Sequence, residues 1–535
     1  MPVIKLNKLG AEGLNTEVAI TDLSPRQWND ALNVSFRKDS VYRSLGFQSA
    51  AVLGTPSATP YFLFQAKDAV QGNDYIIYAG LNKVYAIIGE TNTHVNITRT
   101  TSTASSVGDI NYSATVNNAW QAGVINGIAV LNNGSDIPQK WTQALSTQRL
   151  LNLDGWTSAA GTLRARVVRP FKNYLIALDV TKGTTRFPQM VKWSTSASAG
   201  NVPLFWDEAD ATRDAGEFEL AETPDYCVDC LPLRDVNIVY KENTTWGMRF
   251  IGFPFIFQFY RIFSEFGVIS RNCVAEFKDR HVVLTNDDVI IHDGQTFESI
   301  ATKRVREDIF NTIDNDSKTN CFVFYDKKEA EVYIGIPTTS SYPDVLWVWN
   351  SRYNTWSKRE LPSANSIAVN FGVVTGIAWN TISTFWDNYA GNWNAGSVQG
   401  GELVMISSDN NKIYSLNSGN TKDGVNMVSR ILRDGVAWTD NSFEQNNSRL
   451  KILYSIRPEI SASTSVQINV SVGTQLKPTD TVDFSAGIPF TPGQDEILYY
   501  NKLGRYFSFK FETNSGSSWE LKSMAIDMEL AGVHG

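Results

Sequence analysis

Short apolar runs separated by polar turns recur along the whole chain. In the stretch 233–300 the runs VNIVYK, FPFIFQFYRIF, HVVLT and DVIIHDG alternate with polar clusters such as ENTT and NDD. Val, Ile, Phe and Tyr favour strands, whereas Asn, Asp and Gly favour the tight turns between them. Such runs at close intervals predict consecutive antiparallel strands.

A loose repeat of roughly 45–60 residues begins near residue 55, a period typical of propeller blades. The segments AGLNKVYAI, LTNDDVIIHDG and SSDNNKIYSLN share one pattern of strand, short polar turn, Val or Ile, and strand. Several strands in each unit predict an irregular β-propeller of about six or seven blades. Because the repeats are weak, a multi-sheet β protein without radial symmetry is the alternative.

After residue 420 the strands become longer, and apolar and polar residues alternate with period two, as in SRLKILYSIRP and RYFSFKFETN. This alternation is typical of a sheet with one buried and one solvated face. The sequence therefore predicts an all-β chain in three parts. Residues 51–420 form the propeller, residues 421–535 form an additional β-sandwich-like platform domain, and residues 1–50 pack with that platform.

Two short helices are predicted between the strands. Ser24 followed by Pro25 is typical of a helix N-cap and first turn, which predicts a helix through Trp28. In the segment 302–314 apolar residues recur at every fourth position, which predicts a helix with one buried face. A hairpin is also expected around the turn KDS at 38–40.

The composition narrows the class of protein. The 535 residues carry a net charge of −8, and only 19% are charged. This balance lacks the basic footprint of a protein that grips nucleic acid through its phosphates. It still suits a wall past which DNA slides, because acidic surfaces repel phosphates. Fifteen Trp and 20 Tyr suit either extensive subunit contacts or large β cores.

Cysteine content and apolar run length indicate the cellular compartment. Four cysteines are too few for a disulfide framework. The longest apolar run, 250–263, is broken by Gly252, Pro254 and Gln258, so it falls short of the roughly 20 residues of a membrane-spanning helix. We therefore expect a soluble protein made in a reducing cytoplasm, without a membrane-spanning segment.

Carboxylates are the candidate catalytic groups, because propeller glycosidases use a pair of them. The candidates are Asp207, Glu208, Asp210, Asp287 and Asp288. The turn Asp293-Gly294 lacks the residue that separates Asp from Gly in the aspartate box of sialidases. Carboxylates in turns commonly bond the local backbone instead. We expect that structural role and therefore no enzyme activity.

Metal ligands are sparse in the sequence. Cys227 and Cys230 form a lone CxxC, and zinc requires two further ligands at suitable spacing. Cys273 and Cys321 lie far away in sequence. We therefore expect no metal and no cofactor, and we interpret His292 with the following aspartate as a solvated pair in a turn.

One loop departs from the repeat. In the segment 380–401, Asn, Gly and Ser alternate with Trp386, Tyr389 and Trp393. Long aromatic loops between strands are commonly contact elements. These three residues are therefore candidates for a docking loop or a loop that faces a channel. The alternative is an insertion that packs on its own blade.

Several ordered motifs carry a resemblance to a known family. They are Trp28, Asn33-Val34, Phe36-Arg37, Val41, Gly46-Phe47, Pro138-Gln139-Lys140-Trp141, Arg169-Pro170-Phe171-Lys172-Asn173, Lys192-Trp193-Ser194, Phe205-Trp206-Asp207, Tyr240-Lys241-Glu242, Trp246, Gly252-Phe253-Pro254 and Asp293-Gly294. This set, which covers roughly residues 20–310, resembles the tail nozzle (hub) proteins of short-tailed bacteriophages, the group that includes tail tubular protein B and the packaged-DNA stabilisation protein. The sequence departs from the family at 38–40, where members usually have an Asp-Gly type of turn.

The resemblance implies a virion structural protein of the phage tail, assembled in the host cytoplasm. It implies a homo-oligomeric ring, expected to be a hexamer, that joins a portal or adaptor protein to tail fibres or spikes. The ring would retain packaged double-stranded DNA in its channel without sequence specificity and release it at ejection. The family supplies no catalytic residues. The alternative functions are a propeller glycosidase or a receptor-binding tail protein that acts on host surface glycans.

Overall fold

The computed structural model describes residues 3–50, 53–67, 74–88, 93–100, 108–116, 120–142, 147–158, 161–370, 402–462 and 466–533. Their regular secondary structure is almost entirely β-strand, so the predicted all-β class is confirmed. Within the same ranges, no helix is long and apolar enough to cross a membrane.

The N-terminal segment contributes strands to several sheets. Its strands are β1 (Val3–Asn7), β2 (Gly13–Leu14), β3 (Gln27–Trp28), β4 (Asp30–Leu32), β5 (Val34–Arg37), β6 (Ser40–Arg43) and β7 (Phe47–Ser49). The short strands β2 and β3 pair in parallel with each other. The other five join sheets whose remaining strands come from much later in the chain.

Six successive four-stranded antiparallel sheets follow, each formed by consecutive strands. Blade 1 contains β8 (Phe62–Lys67), β9 (Asp74–Ala79), β10 (Val84–Ile88) and β11 (His94–Asn96). Blade 2 contains β12 (Gln121–Ile125), β13 (Ile128–Asn132), β14 (Gln139–Trp141) and β15 (Leu151–Asn152). Blade 3 contains β16 (Leu163–Phe171), β17 (Tyr174–Lys182), β18 (Thr185–Trp193) and β19 (Gly216–Glu219). Blade 4 contains β20 (Cys227–Leu233), β21 (Val236–Lys241), β22 (Thr245–Gly252) and β23 (Ile256–Phe263). Blade 5 contains β24 (Val274–Phe277), β25 (Arg280–Leu284), β26 (Val289–His292) and β27 (Phe297–Ser299). The helix α1 (Arg306–Thr312) and a 3₁₀ turn (Lys318–Asn320) precede blade 6, which contains β28 (Phe322–Asp326), β29 (Glu331–Ile336), β30 (Val345–Asn350) and β31 (Thr355–Glu360).

A seventh blade combines distant parts of the chain. It contains β32 (Ser366–Asn370), β33 (Glu402–Ser407) and β34 (Lys412–Leu416), and β7 from the N-terminal segment is its fourth strand. Because β7 leads into β8, the outer strand of the last blade and the inner strand of the first are adjacent in sequence. The described residues therefore form a seven-bladed β-propeller.

Hydrophobic clusters between neighbouring blades close the ring. Tyr75 and Trp141 pack edge to face between blades 1 and 2, at 5.0 Å between ring centroids. Ile406 of blade 7 shares another cluster with Ile76 and Tyr78 of blade 1. Further clusters lie between blades 2 and 3, 3 and 4, 6 and 7, and across blades 4 to 6. Each blade thus buries both faces against its neighbours, as radial packing requires.

The last strands form two further sheets. They are β35 (Thr421–Lys422), β36 (Val425–Val436), β37 (Arg449–Ala462), β38 (Ile468–Gln475), β39 (Asp483–Phe484), β40 (Ile488–Phe490), β41 (Leu498–Gly504), β42 (Tyr506–Ser515) and β43 (Trp519–Val533). One sheet has the order β41-β37-β43-β6-β5, with β1 also on β43, and the other contains β36-β42-β38-β39 with β4 and β40 at its sides. β36 buries alternate residues, which confirms the predicted period-two alternation.

The N-terminal strands therefore pair with strands after residue 420. β1 pairs with β43, β4 with β36, and β6 with β43. Side chains of both sheets share one hydrophobic cluster, which continues into blades 5 and 6; Trp28 and Phe511, for example, meet edge to face at 6.4 Å. The boundaries 50/51 and 420/421 themselves stay predictions.

The structure contains one of the two predicted helices. The helix expected at 302–314 exists but is shorter, because Lys303 has a positive φ of 60° and Val305 is the N-cap. Its predicted buried face is confirmed at Ile309 and Ile313. The helix expected after Ser24 is wrong: the chain there forms β3 and β4, since pairing of β4 with β36 outweighs the weak local preference.

A buried carboxylate joins the N-terminal segment to blade 6. Glu331 on β29 accepts from Arg37 Nη2 at 2.8 Å and from Arg359 Nη2 at 3.4 Å. The hydroxyl of Tyr333 and the amide of Asn350 also donate to it. Burial raises the pKa of Glu331, but the positive charges of Arg359 and Arg37 outweigh burial and hold that pKa below its ordinary value.

We predict that substitutions in two Lys-Asp hairpin turns can stabilise the protein. Lys38 and Asp39 both have positive φ, 48° and 64°, and so do Lys278 and Asp279 of the β24–β25 turn, 46° and 60°. Two-residue hairpin turns of this geometry favour Asn-Gly. Replacing 38–39 with Asn-Gly should raise the free energy of unfolding by about 1 kcal/mol. The same replacement at 278–279 is the matched control and should act alike. Urea midpoints followed by Trp fluorescence check this, and a decrease at both turns would contradict it.

Glu331→Gln should destabilise the protein at neutral pH by about 3 kcal/mol, because it leaves two guanidinium groups without their buried carboxylate. Since the pKa of Glu331 is lowered in the folded state, its contribution is present above about pH 4.5 and is lost as the pH falls through the folded pKa. The variant should therefore lose less stability on acidification than the wild type. Glu329→Gln, at a half-exposed partner of Arg37, should cost less than about 1 kcal/mol. Equal acid sensitivity of the Glu331 variant and wild type would refute this.

Candidate functional site

The innermost strands of all seven blades surround a cavity on the propeller axis. These strands are β8, β12, β16, β20, β24, β28 and β32, and the cavity has a volume of about 260 Å³. Ligand pockets usually measure about 300–1,000 Å³, so the cavity is small even for a metabolite. It cannot admit a DNA duplex, whose major groove alone is about 12 Å wide.

One guanidinium ties four blades together at the axis. Arg169 on β16 donates from Nε and Nη2 to the two carboxylate oxygens of Asp229 on β20, at 3.0 and 2.9 Å. Its Nη2 also reaches Asn272 Oδ1 at 2.8 Å, and its Nη1 reaches the carbonyl oxygen of Ala122 at 3.5 Å. The backbone amide of Asn272 donates to Asp229 in turn. The group therefore acts as a clasp between blades 2, 3, 4 and 5.

The clasp is charged on both sides. Burial by itself lowers the pKa of Arg169, but the adjacent carboxylate of Asp229 more than offsets burial, so the pKa lies above its ordinary value. The two-pronged geometry is the strongest form of arginine–carboxylate contact. Such a pair holds neighbouring strands together.

A wider, cationic mouth adjoins the cavity. This mouth has a volume of about 470 Å³, and Arg166, Arg271 and Lys318 line it together with the acidic Glu242. Arg271 lines both the mouth and the axial cavity. Burial, followed by the neighbouring charge of Arg166, lowers the pKa of Arg271 to about 10. The mouth therefore concentrates positive charge in a chain whose net charge is −8.

A second groove extends the cationic surface between blades 2 and 3. Arg164, Arg166 and Arg186 line it together with Asp179. Asp179 is buried and accepts from Arg186 Nε and Nη2 at 2.7 and 2.6 Å, whereas Arg166 Nη1 is 3.8 Å away. The arrangement can attract an anionic group by electrostatics.

The first group of sequence-predicted carboxylates has structural roles. Glu208 accepts from Lys192 Nζ at 2.5 Å and from Lys182 Nζ at 3.0 Å. Burial raises the pKa of Glu208, but these hydrogen bonds outweigh burial and lower the pKa to about 2. Asp207 accepts from the amide of Ala209 in an exposed turn. A glycosidase acid requires a raised pKa, so Glu208 is unsuited to that role.

The remaining carboxylates also cap turns. Asp210 accepts from Thr212, Asp287 from the hydroxyl of Thr285, and Asp288 from the amide of Val289. Asp293 accepts from the amides of Thr296 and Gln295, both at 2.8 Å. These bonds lower the pKa values of Asp210 and Asp293. Turn capping was the role that the sequence favoured.

The cysteines are thiols inside hydrophobic clusters. Cys227 and Cys230 lie on β20 and pack between blades 3 and 4. Burial raises the pKa of Cys230 to about 12, so the thiol is unreactive near neutral pH. Within the described ranges, no three His, Cys, Asp or Glu side chains are grouped to hold a metal ion.

The prediction that His292 is solvated is wrong. His292 is buried between blades 4 and 5, and its Nδ1 accepts from the amide of Gly294, so its Nε2 carries the proton. That Nε2 donates to Tyr240, whose hydroxyl donates to His281 Nδ1, and His281 Nε2 donates to the carbonyl of Pro232. Burial lowers the pKa of His281 to about 4 and that of His292 to about 3, so both rings are neutral. The sequence interpretation placed His292 in a solvated turn because it did not include Tyr240 of the neighbouring blade, which is the buried hydrogen-bond partner of His292.

The aromatic loop cannot be placed. Trp386, Tyr389 and Trp393 lie in the segment 371–401, outside the described residues. Their role as a docking or channel loop therefore stays a prediction.

Sequence reasoning missed the axial clasp. In the sequence, Arg169 lies within a family-like motif, and Asp229 lies between the two cysteines of the CxxC. The available signal was a charged residue inside each of two apolar strands, VVRPF and CVDCL. Buried charges of this kind are normally paired, so two such strands in neighbouring blades could have been matched.

The sequence matches no protein-family model and no curated protein. Several solved structures are similar in backbone, each at 8% identity. The extracellular domain of a putative hybrid two-component system from B. thetaiotaomicron aligns over 92% of this chain and 61% of its own, with a TM-score of 0.42. BBS1N in complex with ARL6DN covers 71% and 98%, at 0.37, and YCF48 from Cyanidioschyzon merolae covers 68% and 97%, at 0.36. Likeness at this level bears on fold class alone.

Asp229→Asn should destabilise the protein by about 3–5 kcal/mol, because it leaves Arg169 buried without a countercharge. Asp207→Asn, in an exposed turn, is the matched control and should cost under about 1 kcal/mol. Chemical unfolding of both variants measures the difference. Equal stability of the two variants would contradict the clasp, and glycan release that Asp207→Asn abolishes would reveal a catalytic role.

Proposed function

We propose that the protein is a virion structural protein, a subunit of the tail nozzle ring of a short-tailed bacteriophage. The ring would retain packaged DNA and provide the channel for genome ejection. In this proposal the chain works through its shape and its contacts with neighbouring copies, not through a reaction.

The observation that carries the proposal is where the family-like residues lie. Asn33 Nδ2 donates to the carbonyl of Val428 and to Glu360, both at 2.7 Å, so one motif residue bridges the N-terminal segment, blade 6 and the platform strands. Arg37 holds Glu331, and Arg169 holds Asp229. The resemblance therefore concerns residues that determine architecture, which supports a role in which architecture is the function.

The size of the axial cavity supports a channel between copies. At about 260 Å³, the cavity within one propeller cannot pass a duplex. A DNA channel would therefore lie where several copies surround a common axis. A head-to-tail contact closed by rotation generates such a ring.

The charge of the chain supports the passage of DNA. With −8 per copy, six copies would surround the channel with a strongly acidic assembly. Acidic walls repel phosphates, so the duplex would slide without being held by many contacts. Portal or adaptor and fibre partners follow from the family resemblance alone.

The purified full chain, or tails isolated from particles, should form closed rings of six copies with a central hole wide enough for a duplex. Negative-stain electron microscopy with mass photometry checks this. Particles assembled without the protein should fill with DNA and then lose it to nuclease. The control is a particle that carries Asp207→Asn together with Asp287→Asn. It should retain DNA normally, because Asp207 caps an exposed turn and Asp287 caps a turn and forms only an exposed ion pair with Arg306.

Two results would contradict the proposal. One is a protein that stays monomeric in solution and is absent from tail rings. The other is particles that keep their DNA without it. Loss of infectivity in the carboxylate control, with rings intact, would favour the glycosidase alternative.

A further inference from the structure

The β22–β23 hairpin of blade 4 carries an exposed apolar tip. Phe253 is 85% exposed and Phe255 73%, and Ile251 and Phe250 are also exposed. A contiguous group of large apolar side chains in water is uncommon on a soluble surface and typically marks a contact site. None of these four residues lines the axial cavity.

The tip projects beyond its blade. β21 pairs with β22 only as far as Val236 opposite Arg249, whereas β22 and β23 continue to pair up to Gly252 opposite Ile256. The residues at the end of the hairpin therefore have no third strand beside them. The hairpin stands out as a two-stranded ribbon with apolar side chains at its end.

The base of the ribbon is anchored, so the tip has a defined position. Phe250 and Phe257 contact each other and both contact Tyr174 of blade 3, with ring centroids 5.1 to 5.9 Å apart. Trp193 adds an edge-to-face contact with Phe257 at 5.3 Å. Aromatic packing thus holds the base while the residues beyond it remain in solvent.

Cations surround the base. Lys172 lies over the ring of Phe250 at 5.4 Å, and Arg249 is exposed one residue before it. Arg234 and Lys278 lie in turns at the same end of blades 4 and 5, since the first and third turns of a four-stranded meander share an end. The acids in these turns are Asp235, 3.9 Å from Lys172, Asp279 and, in the third turn of blade 5, Asp293. We call these seven residues the collar; it carries four positive and three negative groups in an acidic chain.

We propose that this hairpin inserts its tip into the interface of a lipid bilayer that contains anionic headgroups. Apolar and aromatic side chains beyond a ring of cations match the order of acyl chains and phosphates in a bilayer. This inference does not depend on the nozzle proposal, and the two can fail separately.

The shape of the tip favours a bilayer over a second copy. At about 200 Å² per side chain, the exposed surface of Phe250, Ile251, Phe253 and Phe255 amounts to about 500 Å². A stable interface buries about 800 Å² on each partner and requires a complementary surface. A narrow convex ribbon supplies less area, whereas a fluid bilayer needs no complementary shape.

Vesicle flotation of the full chain tests the proposal. Vesicles of phosphatidylcholine and phosphatidylglycerol, three parts to one, should bind the wild type. The double variant Phe253→Ser, Phe255→Ser should bind about a hundredfold more weakly. The control is Tyr499→Ser, Leu503→Ser on β41, which removes similarly exposed apolar side chains elsewhere and should bind normally. Arg249→Gln should weaken binding to these vesicles but leave the weaker binding to pure phosphatidylcholine unchanged.

A fluorophore at the tip reports insertion directly. The native cysteines are all buried, so Phe253→Cys can be labelled selectively with an environment-sensitive dye. Its emission should shift to the blue with vesicles and be quenched by spin-labelled acyl chains. Absence of the shift, or equal binding of the tip variant and wild type, would overturn the proposal. A third outcome would also overturn the proposal: the wild type does not bind vesicles, and the tip variant loses self-association. That outcome would assign the tip to a contact with a second copy of the chain.

Discussion

Closure of the propeller by β7 is the interaction on which the remaining architecture depends. Without it, β34 would expose a row of unpaired amides and carbonyls at the edge of the last blade. The approach is so close that Gly46, just before β7, has no room for a side chain: a Cβ would lie 2.0 Å from the carbonyl oxygen of Thr421. Because β7 also pairs with β35, and β35 with β36, the same strand that closes the ring connects it to the platform sheets. Ring and platform are therefore one hydrogen-bonded structure.

Buried ion pairs lie at the joints of this structure. Glu331 joins blade 6 to the N-terminal segment, and Asp229 joins the inner strands of blades 3 and 4. Asp225 forms a further ion pair within blade 4, where its Oδ1 lies 3.0 Å from Lys241 Nζ. Burying such charges costs desolvation, so pairs of this kind contribute little net stability compared with apolar side chains. Their effect is on specificity: a slip in the pairing of either segment would leave a buried charge without its partner. Apolar clusters between blades are less selective, and they tolerate similar shapes.

Much of the fold could be predicted from local patterns, and the exceptions share a physical cause. Strands and hairpins follow from side-chain period and turn residues, which act over a few positions; the turns at Asn126-Gly127 and Lys172-Asn173 both connect paired strands. The helix expected after Ser24 failed because its residues pair with a strand 400 positions later. His292 and the Arg169–Asp229 clasp were misjudged or missed for the same reason, since their partners come from other blades. Blade-to-blade contacts leave no local trace in the sequence except a polar residue inside an apolar strand.

Charge acts at two ranges in this protein. The net charge of −8 is a property of the whole surface, but salt screens charges over about 8 Å at physiological ionic strength. An anionic group in contact with the mouth or the collar therefore senses Arg166 or Arg249 more than the distant acidic residues. A long polyanion that passes the surface without contact senses mainly the negative average. An acidic chain can thus repel a duplex along a wall and still attract phosphate groups at a few contact points. Because these points are separate on the surface, different anionic groups contact different cationic side chains.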